Sequence, residues 1–303
     1  QKDEVGGGRE PVKSAKQKLP QAVAIQAEKC VFEWAGDEKD ASSRYTLGED
    51  SDSVTLNVRK GELVGVVGST GHGKSSLLHA LSGNMPRKQG VLLVDGEVAY
   101  SAQMVHLLAR ATLCENIIFG LPFDPAMYLR ALECTHCQEM VADLLPKGSD
   151  AVRGSDSLLG EEVERSTLHN SDDDVVILTQ TQLVLVGLAR AVYKDASIYL
   201  LDGVFDALGS QLAELVFADC ILKQLGLKTV VLAESHAIAA LPSSLLEACN
   251  MVHLIGARRS EVGVVSGLVG HGELAIVQQQ SDRWHQRHDL DLSVCSVLSS
   301  QAV

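Results

Sequence analysis

Residues 63 to 81 read LVGVVGSTGHGKSSLLHAL: a short apolar run, a glycine-rich loop, and a segment with helical apolar spacing. Gly68, Gly73, Lys74 and Ser75 fill the pattern G-x-x-x-x-G-K-[ST] within it. A strand that ends in such a loop and re-enters as a helix presents backbone N–H groups and the positive end of the helix dipole to phosphate. Gly71 and Gly73 permit the tight turn this needs, Lys74 would neutralise β/γ-phosphate charge, and Ser75 would ligate Mg²⁺. The loop from Gly68 through Ser69, Thr70, Gly71, His72, Gly73, Lys74 and Ser75 to Ser76 is therefore expected to cradle the phosphates of a nucleotide such as ATP.

The rest of the chain fits a layered α/β fold around that loop. ASIYLLD (196–202) and KTVVLAESH (228–236) are short, almost wholly apolar runs that end in polar residues, as strands of a parallel sheet buried on both faces do. Asp202 would thus arrive at a strand end beside a metal–phosphate site, followed directly by Gly203. Upstream, AVAIQAEKCVFEWAG reads as a strand or strand pair ending near Trp34, followed by a polar loop. In SVTLNVRKGELVGVVG two β-rich runs flank the turn RKGE, and GVLLVDGEVAY reads as a hairpin turning at Asp95–Gly96. The stretch 121–192 is mainly helical in periodicity, interrupted by PKGSDAVRGSDSLLG and by Asp172, Asp173 and Asp174. Residues 1–22 and 274–303 are polar and read as linker and tail around a folded unit at 23–273.

Composition excludes several alternatives. With 26 basic against 39 acidic residues the net charge is −13, which argues against a nucleic-acid-coating surface, because that binding relies on many Lys and Arg side chains neutralising phosphates. No window supplies the roughly 18 to 20 apolar residues of a membrane helix, and no signal-peptide core is present. The chain starts at Gln1 rather than Met, so a fragment or processed product of something longer is expected. Seven scattered cysteines suit a reducing compartment better than a disulfide framework. Cys134 and Cys137 in CTHC resemble half a zinc site, but no second pair completes four ligands and the segment has helical spacing.

Three further stretches narrow the reading: EVAYSAQMVHLLARATLCENIIFG (97–120), LTQTQLVLVGLARAVYKDASIYLLD (178–202) and VVLAESH (230–236). Together with the loop they resemble the nucleotide-binding domain of ATP-binding cassette (ABC) transporters, and most closely the first such domain of the multidrug-resistance-associated C subfamily. The resemblance spans roughly Val31 to Leu274. It implies a P-loop NTPase fold with a central, mainly parallel sheet, an antiparallel β subdomain near the N-terminus and a helical subdomain at about 121–192. It also implies that Trp34 stacks on adenine and that Gln103 contacts Mg²⁺ or water. Asp202 would hold Mg²⁺, and His236 would be the switch histidine that hydrogen-bonds the γ-phosphate. Leu178, Thr179, Gln180, Thr181 and Gln182 stand at the signature segment, which in the family clamps ATP bound by a second, here non-identical, cassette. Partners implied are that cassette and the transmembrane domains of a parent transporter, on the cytoplasmic side of a membrane.

The sequence departs from the family where ATP is hydrolysed or clamped. The carboxylate that normally follows Asp202 is replaced by Gly203, and a general base usually contributes about 10²- to 10⁴-fold. SALD reads DALG at 206–209, with Asp206 placed past the strand end as a poor substitute and Gly209 in place of the family's aspartate. LSGGQ reads LTQTQ: Thr179 keeps a hydroxyl, while Gln180 and Thr181 put side chains where glycine lets backbone approach phosphate. An apparent insertion before the signature carries HNSDDD, read as a solvated loop. Three readings stay open: a domain that binds Mg-ATP with weak or no hydrolysis and acts as a structural or regulatory half of a cassette pair; a working ATPase using another carboxylate; and an interaction-only cassette that no longer binds nucleotide.

Overall fold

The computed structural model describes residues 22–34, 45–49, 53–68, 70–108, 111–138, 158–160, 176–234, 248–260 and 263–272. Its strands are β1 (Val23–Glu33), β2 (Tyr45–Leu47), β3 (Val54–Arg59), β4 (Leu63–Val67), β5 (Arg87–Val94), β6 (Val98–Ser101), β7 (Ala111–Thr112), β8 (Leu158–Gly160), β9 (Val176–Ile177), β10 (Ile198–Asp202), β11 (Thr229–Glu234), β12 (Met251–Ser260) and β13 (Gly263–Gly272). The helices are α1 (Lys74–Leu81), α2 (Leu113–Ile118), α3 (Pro125–Cys134), α4 (Gln180–Tyr193) and α5 (Ser210–Val216), the last running on as a π-helical stretch, Phe217–Gln224.

Ten strands form one mixed sheet in the order β3-β1-β2-β13-β12-β4-β11-β10-β6, with β5 also on β1. Its centre is parallel: β6, β10, β11, β4 and β12 all run the same way. Every residue of β10 and β11 is buried, which is why their sequences are unbroken apolar runs. The strand period of two divides them between two cores. Ile198, Leu200, Val231 and Ala233 pack on the α1 side, whereas Tyr199, Leu201, Val230 and Leu232 pack on the α4 side. The antiparallel part is β1 with β3, β2 and β5, and the buried–exposed alternation of β3 marks it as covered on one face only.

The segment before Trp34, read as a strand or strand pair, is one strand with a bulge, where register shifts around Glu28 and Lys29 and Lys29 takes φ 49°. One expectation is corrected. GVLLVDGEVAY is no hairpin: β5 pairs antiparallel with β1, and β6 pairs parallel with β10. Asp95–Gly96 does turn the chain, but a turn signal does not choose the partner. β6 instead takes a place beside β10, where Ala99 and Ser101 are buried. In the stretch read as mainly helical, α3 and α4 form, while β8 pairs with β7 on one side and β9 on the other in a small separate sheet. The acidic patch 172–174 and the HNSDDD segment lie outside the described residues.

α4 ties this helical part to the sheet. Arg190 donates to the carbonyls of Asn116 and His106 and lies 4.1 Å above the Phe119 ring, and the Tyr193 hydroxyl accepts from the Asp124 amide. Cys134 closes α3 and Cys137 is fully buried, its thiol pushed up to about 12 by desolvation, so the CTHC segment packs as core. Among the described residues no helix is long and apolar enough to cross a membrane.

Candidate phosphate-binding site

β4, β10 and β11 deliver Val67, Asp202 and Glu234 side by side at the C-terminal edge of the parallel strands. There a cavity of about 190 Å³ opens, lined by Tyr45, Thr70, Gly71, Gly73, Lys74, Ser75, Ser76, Gln103, Asp202, Gly203, Asp206 and Ala233. Crevices outside the carboxyl ends of parallel strands are where α/β folds bind ligands. Gly71 and Gly73 take φ 81° and 92°, so the loop bends as its glycines require, and Gly73 caps the start of α1.

Lys74 is buried, and its ammonium donates to the Gly68 carbonyl at 2.8 Å. Desolvation lowers its pKa, while the carboxylates of Asp206, then Asp202, then Glu234 oppose that shift. Asp202 is 4% exposed and accepts hydrogen bonds from the Tyr100 hydroxyl at 3.0 Å and from the Ser75 side chain. Burial nonetheless raises its pKa, and the same burial, with the Asp202 charge, pushes the Tyr100 phenol up. The Ser75 hydroxyl, the Asp202 carboxylate and the Gln103 amide border one cavity, and they are hard oxygen donors of the kind Mg²⁺ takes.

Gly203 takes φ 58°, and its amide donates to the Ala233 carbonyl at 2.7 Å. A Cβ there would lie 3.0 Å from Gln103 Cγ and 3.3 Å from Asp206 Oδ2. The 3-10 turn Phe205–Ala207 that follows is held from two sides: Glu234 accepts from the Phe205 amide at 3.3 Å, and the Thr181 hydroxyl donates to the Ala207 carbonyl at 2.8 Å. Asp206 lies past the end of β10, as expected, and that turn brings it back to the cavity. Four residues along an extended strand would have carried it away; a tight turn does not. Glu234 is 2% exposed, and its pKa is raised well above the usual range, first by desolvation and then by Asp206.

The signature residues form the N-terminus of α4. Leu178 is buried, and Thr179 and Gln182 make a capping box: the Thr179 hydroxyl accepts from the Gln182 amide, and Gln182 Oε1 accepts from the Thr179 amide at 2.8 Å. Gln180 donates to the Gln103 carbonyl at 3.3 Å. The hydroxyl of Thr179 is thus already used by its own helix. Trp34 does not line the cavity. Its indole N–H approaches the Ser76 hydroxyl at 3.4 Å, and its ring meets His79 edge-on at 5.7 Å. Gly68 and His72 belong to the same loop but do not line the cavity, whereas Ser69 and His236 lie outside the described residues.

Sequence reasoning passed over Tyr45, which sits on the wall as a residue of the short strand β2 inside the acidic loop, and Tyr100 and Glu234, which support Asp202 and the turn. For Glu234 and Tyr100 the available signal was position at the ends of apolar runs. For Tyr45 there was none.

A family model described as "ABC transporter" matches residues 51–205, just over half of the 303-residue chain. The mouse protein "ATP-binding cassette sub-family C member 3" is 36% identical over 251 residues, covering 82% of this chain and 14% of the relative. The "ATP-binding cassette transporter abc2" of Schizosaccharomyces pombe is 32% identical over 241 residues, covering 78% and 14%. The "Probable multidrug resistance-associated protein lethal(2)03659" of Drosophila melanogaster is 32% identical over 233 residues, covering 75% and 15%. The chain therefore spans about one seventh of the length of these relatives.

Proposed function

The chain belongs to the ABC transporter family, and on that premise we propose that it is the ATP-binding domain of a membrane exporter, binding Mg-ATP at its own site with weak or no hydrolysis. The observation that carries this reading is one cavity in which Lys74, Ser75 and Asp202 converge while Gly203 contributes no side chain. In this reading the loop 68–76 takes the phosphates, with Lys74 leaving the Gly68 carbonyl for phosphate oxygens. Ser75 and Asp202 hold Mg²⁺, Asp202 through water, with Gln103 beside them. The ion they would hold would supply positive charge that neutralises phosphate oxygens. Trp34 serves the adenine and His236 the γ-phosphate. The base that would orient an attacking water is absent at 203, which removes a contribution of about 10²- to 10⁴-fold.

The folded unit, 23–273, then acts as one half of a cassette pair with a second, non-identical nucleotide-binding domain, on the cytoplasmic side of a membrane and coupled to transmembrane domains. LTQTQ supports an asymmetric pair, because Gln180 and Thr181 replace the glycines that admit the opposite ATP and turn their side chains onto their own chain. Turnover by a working ATPase is favoured by one observation only, the Asp206 carboxylate in the cavity.

The test is thermal unfolding with and without Mg-ATP, alongside single-turnover hydrolysis. At a ligand concentration of 100 Kd, binding stabilises by about 2.7 kcal/mol. That gain should be present in the wild type and lost in Lys74→Ala. Hydrolysis on the order of 1 s⁻¹ would defeat the weak-turnover reading, and no stabilisation by ATP would defeat binding.

A further inference from the structure

One carboxylate in the cavity, Asp206, stands at the first position of the DALG segment, where the resemblance supplies no carboxylate. Asp206 sits on the 3-10 turn after β10, and three contacts with two elements, β11 and α4, hold that turn: the Gly203 amide on the Ala233 carbonyl, the Phe205 amide on Glu234, and the Thr181 hydroxyl on the Ala207 carbonyl. Gly203 makes room for it, since a Cβ at that position would meet Asp206 Oδ2 at 3.3 Å. The volume that a side chain at 203 would enter is bordered instead by Asp206 and Gln103.

We propose that Asp206 sets the metal requirement of this pocket: its carboxylate faces Lys74 when no nucleotide is bound and opposes metal-free phosphate. This rests on the reading of the cavity as a nucleotide site. The charge balance on the page leads there. Among the described residues the cavity wall carries two carboxylates, Asp202 and Asp206, against one ammonium, Lys74, and Glu234 lies buried behind the turn. Asp206 acts on Lys74 more strongly than either of the other two. A triphosphate that enters alone brings several negative charges to the same ammonium and meets both wall carboxylates. A divalent cation that enters with it turns those carboxylates from repulsive into attractive neighbours, because interactions between unit charges stay substantial in a partly desolvated pocket. Asp206 therefore works as a selectivity residue, favouring Mg-ATP over free ATP, and needs no part in bond breaking.

The experiment measures the Kd for ATP in Mg²⁺ and in EDTA for the wild type, Asp206→Asn, Asp206→Ser and Asp206→Glu, with thermal unfolding of each nucleotide-free variant. In Asn and Ser, binding in EDTA should tighten about tenfold, the change given by roughly one unit of like charge in such a setting. Binding in Mg²⁺ should change little, so the EDTA-to-Mg²⁺ ratio of Kd falls by about the same factor, while Glu keeps the wild-type ratio. A merely structural role would weaken both affinities together and leave the ratio where it was. An unchanged ratio in both Asn and Ser overturns the inference while leaving the nucleotide reading intact. Absence of ATP binding by the wild type in either condition overturns that reading and this inference with it.

Discussion

Replacing Gly203 tests the account of the site at its most constrained backbone position. With φ 58° the residue lies in the left-handed region, where a side chain costs about 1–2 kcal/mol. The new Cβ would also sit 3.0 Å from Gln103 Cγ and 3.2 Å from its Nε2, but Gln103 is exposed and yields by rotating, so these contacts add little. Gly203→Ala should therefore lose about 1–2 kcal/mol, and Gly203→Asn less, because asparagine tolerates this region. Gly209 is the internal control. It takes φ −67° and ψ 158° with nothing within 4 Å of a built Cβ, so Gly209→Ala should stay within about 0.5 kcal/mol of the wild type. Equilibrium urea unfolding, read at constant m, measures all three. Gly203→Ala as stable as the wild type, or Gly209→Ala equally damaging, would refute the reasoning. The outcome also governs how a Glu at 203 is interpreted. That substitution brings the same strain and sets a further carboxylate beside Asp202 and Asp206, so a low rate in it does not by itself show that another base exists.

Two further predictions concern groups around the turn and the helix start. The pKa of Glu234 is raised above its ordinary 4.5, so its contribution to stability is fully present below that value and is lost as pH rises through the folded pKa. Unfolding free energy of the nucleotide-free chain should fall by up to about 1.4 kcal/mol per pH unit in that window, and Glu234→Gln should lower the slope; equal slopes in a urea series between about pH 5 and 8 would contradict it. Thr179→Ala removes the hydroxyl half of the capping box and should cost about 1 kcal/mol in thermal or urea unfolding, with Thr179→Ser close to the wild type; no loss in Ala would show the cap to be idle.

How far the site was readable followed from how local its causes are. The phosphate loop was legible because its geometry is local: a strand, glycines that accept positive φ, a lysine and a helix start are contiguous in sequence. β10 and β11 were legible because burial on both faces leaves unbroken apolar runs. Strand partners were not, since Asp95–Gly96 carries the same turn chemistry whether the next strand folds back or crosses to β10. That Asp206 returns to the cavity was not legible for a related reason: its distance from Asp202 depends on a turn held by Thr181, Ala233 and Glu234, residues 25 or more positions away. Tyr45 reaches the cavity only because β2 pairs with both β1 and β13.

Gly203, Asp206, Gln180 and Thr181 belong to one packed unit. Thr181 donates to the carbonyl of Ala207, next to Asp206; Gln180 donates to the carbonyl of Gln103; and Gln103 in turn occupies space above Gly203. A glycine at 180 or 181 would remove one of these ties and free the turn or the Gln103 segment, while a side chain at 203 would displace the Gln103 side chain from the space it occupies. Residues in contact or sharing a hydrogen-bond network do not contribute additively. Substituting one of these residues therefore acts on its neighbours as well. The sequence of this site is best understood as a consistent set, in which the carboxylate at 206, the glycine at 203 and the polar side chains at 180 and 181 each depend on the rest.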